Sequence, residues 1–84
     1  MPSPDLRGRS VLIVEDEPAI ALDIARAFEN VGARVTLTNT LRHALLLVEH
    51  AGIPAAILNR VLGDEDGDGL CQRLKGRAVA FITL

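Results

Sequence analysis

Tryptophan and tyrosine are absent from this chain, phenylalanine occurs twice and cysteine once. With so few aromatic rings there is little to stack on nucleic-acid bases. The 9 Lys and Arg residues stand against 11 Asp and Glu and are scattered along the chain. They form no basic patch, so a nucleic-acid partner is not expected. Cys71 alone cannot close an internal disulfide. No apolar run approaches the roughly 18 residues that a membrane span requires. Residues 1–9, which include Pro2 and Pro4, lack the charged-then-apolar order of a secretory signal. A reducing cytoplasm and no membrane partner are therefore expected.

What is present is an aliphatic chain of 84 residues, 49% apolar and 24% charged, with a net charge of −2. That length makes one small domain, with residues 1–9 as an N-terminal tail and 10–84 as the domain. A chain this short buries only about 60% of its surface on folding, so a monomer has a narrow margin of stability.

Short apolar runs alternate with amphipathic stretches, the pattern of a parallel sheet covered by helices. Residues 11–14 form a β-branched run ending in Glu15, Asp16 and Glu17, which predicts a buried central strand with charge at its C-terminal end. Pro18 suits the first helical position, and Ile20, Ile24 and Phe28, with Ala21, Ala25 and Val31 beside them, predict a buried stripe that stops at Gly32. Residues 34–38 alternate as a strand nearer the sheet edge. Asn39 or Thr40 then caps a helix over 41–50, with Leu41, Ala44, Leu45 and Val48 inward and Leu46 outward. A third strand over 55–58, a polar loop over 59–66, a short helix over 67–75 with Leu70 and Leu74 inward, and a fourth strand over 79–84 complete a βαβαβαβ order. That order predicts an open α/β sheet whose ligand groups gather at the C-terminal ends of the strands.

Glu15 and Asp16 end the first strand, Asn59 ends the third and Thr83 lies near the end of the fourth, so the four converge on one edge of the sheet. Adjacent carboxylates with further oxygen donors are what a hard dication such as Mg²⁺ takes. Charges merely solvated at strand ends are the plain alternative.

The run from Val11 through Glu15-Asp16 to Pro18, the segment Ala55-Ala-Ile-Leu-Asn59 through Gly63, Gly67 eight residues past Asn59, and Phe81-Ile-Thr83 resemble the receiver domain of two-component response regulators. The resemblance runs from Arg9 onward and implies a receiver, flavodoxin-like fold: a doubly wound parallel sheet in the order 2-1-3-4-5. Here it lacks the last strand and helices, so the domain is expected to be C-terminally incomplete. In that family an acidic pair holds Mg²⁺, an Asp after the third strand accepts a phosphoryl group from a kinase histidine, and a Thr or Ser and a Lys contact that group. Carried over, Glu15 and Asp16 match the metal pair, Val61 supplies the metal's backbone carbonyl and Thr83 matches the switch hydroxyl.

The phosphoacceptor position holds Asn59. An amide offers no anionic oxygen for attack on phosphorus, so the family's acyl phosphate cannot form there. Gly63 stands where the family usually has Pro, and the Lys position is absent. The resemblance therefore implies a pseudo-receiver, not an enzyme, that needs no cofactor and holds Mg²⁺ weakly if at all. It would act by binding a histidine kinase, a phosphotransfer protein, another response regulator or a second copy through the C-terminal strand. Two alternatives stand beside it: phosphorylation at another carboxylate, Asp16 or Asp64, and a metal-binding module in the acidic loop 64–68.

That loop, Asp64-Glu-Asp66-Gly-Asp68, matches the first half of a calcium loop, but Lys75 falls where a bidentate Glu is required. Arg60 is a candidate counter-charge over Glu15 or Asp16. His43 and His50, seven apart on the second helix, read as surface residues, and Cys71 as a packed or partly exposed thiol.

Overall fold

The computed structural model describes residues 7–50, 52–59, 61–62 and 65–84. Its elements are β1 (Ser10–Val14), α1 (Pro18–Glu29), β2 (Arg34–Thr38), α2 (Leu41–His50), β3 (Ala55–Leu58), β4 (Val61–Leu62), β5 (Glu65–Asp66), α3 (Asp68–Gly76) and β6 (Ala80–Thr83). Four strands form one parallel sheet in the order β2-β1-β3-β6. Helices cover both faces, which makes the fold a doubly wound, flavodoxin-like α/β sheet.

The period of two along β1 explains why its sequence is apolar from Val11 to Val14. Leu12 and Val14 enter a core with Leu41, Ala44 and Val48 of α2 and with Leu70 and Leu74 of α3. Val11 and Ile13 point the other way, against Ala25, Ala33 and the half-buried Ile24 and Phe28. A strand with helices on both faces has no polar side to show. β2 is an edge: Leu37 is exposed, and only Thr38 at its end is fully buried.

Three sequence expectations need correction. The stripe of α1 is narrower than expected: Ala21 and Ala25 are buried, and Ile24 and Phe28 are half-buried against the core, but Ile20 is 46% exposed and Val31 is exposed too. The small residues lie at the contact because they let the helix approach the sheet closely. The segment 59–66 is not all loop, for β4 and β5 pair antiparallel, Val61 with Asp66 and Leu62 with Glu65. Leu62 is buried in the same core as Leu12, and that burial anchors the ribbon. The last strand and the third helix also sit within narrower or shifted bounds, Ala80–Thr83 and Asp68–Gly76.

The helix ends are locally encoded. Thr40 rather than Asn39 caps α2, its Oγ1 accepting from the backbone N–H of His43 at 3.2 Å. α1 and α3 close with the same pair of backbone bonds. Gly32 and Ala33 donate to Glu29 and Phe28, and Ala78 and Val79 donate to Lys75 and Leu74. This closure needs a left-handed residue. Gly32 supplies it at φ +89°, but in the second case the residue is Ala78, at φ 55°. Gly32 also carries the backbone carbonyl that accepts from Gly8, so the residues just before β1 are tied to the end of α1.

No helix among the described residues is long and apolar enough to cross a membrane.

Candidate functional site at the strand ends

The sheet's own hydrogen bonding extends past the strand ends and fixes the site. Glu15 N–H donates to the Thr38 carbonyl at 3.0 Å and Asn59 N–H to the Val14 carbonyl at 2.9 Å. Two residues 44 apart in sequence are thereby held side by side above the central strands. Leu84 N–H continues the ladder to the Leu58 carbonyl at 2.8 Å, placing Thr83 on the neighbouring strand, in register with Leu58.

Glu15 is the most unusual residue of the group, a carboxylate side chain on a residue only 4% exposed. Its donors are neutral. The backbone N–H of Glu17 donates to Oε1 at 3.1 Å, and the side-chain amide of Asn59 donates to Oε1 and Oε2, each at 3.4 Å. Asp16 is exposed beside it, and both line an open cavity of about 510 Å³ with Pro18, Ala21 and Leu22 of α1, Leu37 and Thr38 of β2, Asn39, and His43 of α2.

Of the expected site residues, the structure joins Glu15, Asp16 and Asn59. Thr83 is exposed and opens instead onto a separate space of about 290 Å³, lined with Asp68, Cys71, Gln72, Lys75 and Phe81. Val61, two residues past Asn59, begins the β4–β5 ribbon. Arg60, Gly63 and Asp64 lie outside the described residues.

The donor set fits Mg²⁺ poorly. Mg²⁺ takes near-octahedral oxygen ligands, whereas Asn59 aims amide hydrogens, not its oxygen, at Glu15. Among the described residues no three His, Cys, Asp or Glu side chains converge as a metal cluster. In the acidic loop, the carboxylate of Asp66 accepts from the backbone N–H of Asp68 at 3.0 Å, and Asp68 is already the first residue of α3. Those groups serve a helix start.

His43 was legible only as a surface residue, and it is exposed. Its Nδ1 nevertheless lies 3.0 Å from Oγ1 of the buried Thr38, a hydrogen bond that ties α2 to the end of β2. A threonine ending a strand five residues before a histidine was the available signal. His50 is exposed, and Cys71 is half-buried against the larger core.

Comparison with known proteins places these features. The chain is 35% identical over 72 residues to the transcriptional regulatory protein TcrA of Mycobacterium tuberculosis, a stretch covering 86% of this chain but 28% of TcrA. Among solved structures it is similar to SdrG from Sphingomonas melonis Fr1, at 36% identity and a TM-score of 0.82, over 90% of this chain and 66% of SdrG. The anti-anti-sigma factor PhyR from Bartonella quintana superposes at a TM-score of 0.78 and 26% identity, over 90% of this chain and 32% of PhyR. The MaeR response regulator bound to beryllium trifluoride shares the fold, at a TM-score of 0.79 and 22% identity. No protein-family model matches the chain.

Proposed function

This chain carries a receiver-like domain of the response-regulator kind, and we propose that it is a pseudo-receiver that takes no phosphoryl group at residue 59 and signals by binding other proteins. The observation that supports this most is the Asn59–Glu15 pair. The residue at the acceptor position is an amide, and it is engaged as a hydrogen-bond donor to the neighbouring carboxylate. An acyl phosphate needs a carboxylate nucleophile, which the amide cannot provide. With the Asn59 amide and the Glu17 backbone N–H donating to Glu15, the carboxylate is held by neutral donors of the chain itself, and in this reading the domain works without a cofactor.

The partners in this reading are a histidine kinase, a phosphotransfer protein, another response regulator or a second copy of the chain. The outer side of β6 has no strand partner among the described residues, and Ile82 is 63% exposed there. A second copy pairing on β6 would cover both. Sedimentation equilibrium tests this arm: a species of 9.0 kDa at micromolar concentration removes it.

Incubation with acetyl phosphate and Mg²⁺, followed by intact mass measurement, tests the central claim. The mass is expected to stay unchanged. A shift of one phosphoryl group overturns the reading, and its loss in Asp16→Asn would assign the acceptor to that carboxylate.

A further inference from the structure

We propose that the cavity between α1 and the end of β2 binds a small organic cation, a guanidinium or ammonium head on a short apolar stem. Its volume of about 510 Å³ falls within the range of about 300–1,000 Å³ usual for small-molecule sites. The cavity has two chemically different parts. Glu15 and Asp16 supply carboxylates and Thr38, Asn39 and His43 further polar groups, while Pro18, Ala21, Leu22 and Leu37 supply aliphatic surface. Leu22 and Leu37 are two of the chain's exposed large apolar residues, and a stem lying against them would cover both.

The state of Glu15 decides the sign of the ligand's charge. A carboxylate withdrawn from water is costly unless its charge is compensated. Here the compensation is an N–H of Glu17 and two long bonds from the neutral Asn59 amide, with Oε2 receiving only one of those bonds. A carboxylate has about four lone-pair sites, so Glu15 retains acceptor capacity. A guanidinium offers planar paired donors and a delocalised, weakly hydrated charge that loses little on entering a half-apolar space. A bare dication would instead have to displace the amide hydrogens that Asn59 directs at Glu15.

An arginine side chain of a partner protein presents the same chemistry as a free cation, and the experiment separates the two. The ¹⁵N-labelled full chain is titrated with hexylguanidinium, with N-hexylurea as its neutral planar counterpart, and with N-acetyl-arginine methylamide. Hexylguanidinium is expected to give saturable shifts at the amides of residues 15–17 and 37–43 in the millimolar range, with N-hexylurea at least tenfold weaker. Tighter binding of hexylguanidinium than of the blocked arginine assigns a free cation, and the reverse order a partner's side chain. Because Glu15→Gln disturbs a buried group, Leu22→Asn serves as the second variant. It alters only the exposed wall and should weaken hexylguanidinium several-fold. Equal response to the cation and the urea, absence of saturation, or an unchanged affinity in Leu22→Asn overturns the proposal. Phosphoryl uptake by the chain would sink the pseudo-receiver reading and leave this result standing.

Discussion

The amide of Asn59 spans both carboxylate oxygens of Glu15 at 3.4 Å, joining the tips of β3 and β1 across 44 residues of sequence. Asn59→Asp replaces a donor by a second carboxylate. In metal-free buffer this variant should lose roughly 1–2 kcal/mol, from the lost hydrogen bonds and like-charge repulsion. Millimolar Mg²⁺ should return part of that loss in the variant and give nothing to the wild type. Urea denaturation with and without Mg²⁺ measures both, and an equal response to Mg²⁺ in the two proteins would show that Asn59 does not set the site's metal preference.

The same pair separates Glu15→Gln from Asp16→Asn. A glutamine at the buried position sets its own N–H₂ against the donors of Asn59 and Glu17, at a cost of roughly 1 kcal/mol or more. Asp16 is exposed, and its neutralisation should stay within about 0.5 kcal/mol. Chemical denaturation of the two variants side by side checks the order.

The sequence revealed the sheet and its central strand because alternate residues of β1 must satisfy two cores at once, leaving an uninterrupted apolar run. It also brought Glu15, Asp16 and Asn59 to one edge, since parallel strands end together. What it hid were relations between side chains. Nothing in the spacing says that the Asn59 amide turns its hydrogens toward Glu15, or that His43 reaches Thr38. Ile20 and Ala21 are equally acceptable on an apolar stripe until the distance between helix and sheet is known. The β4–β5 ribbon escaped because two-residue strands carry too few positions for a period to show.

The matched helix closures make a paired prediction. Ala78 occupies a left-handed conformation that glycine adopts without strain. Ala78→Gly should therefore be neutral or stabilising, by up to about 1 kcal/mol. Gly32→Ala should destabilise by more than about 1 kcal/mol, since its new Cβ would meet Cγ of Arg7 at 2.5 Å. Thermal melts of the two variants, shifted in opposite directions, would bear this out.

Burial sets the remaining contrast. Leu12 is wholly buried between α2 and α3, so Leu12→Ala should cost about 2–5 kcal/mol and leave so small a domain close to unfolding. Leu46, apolar but 50% exposed, should tolerate Leu46→Ser within about 0.5 kcal/mol. Urea midpoints for both variants test whether the two-faced core holds as described.

The amides of Glu15 and Asn59 are bonded to the carbonyls of Thr38 and Val14, continuing the ladders that flank β1. Hydrogen exchange at these two amides should therefore follow the slow, cooperative opening of the whole sheet rather than the fraying of a surface loop. Any event that registers at Glu15 would be felt first by the most protected part of the molecule. A ligand held at Glu15 would therefore raise the resistance of the whole sheet to opening, with no moving loop required.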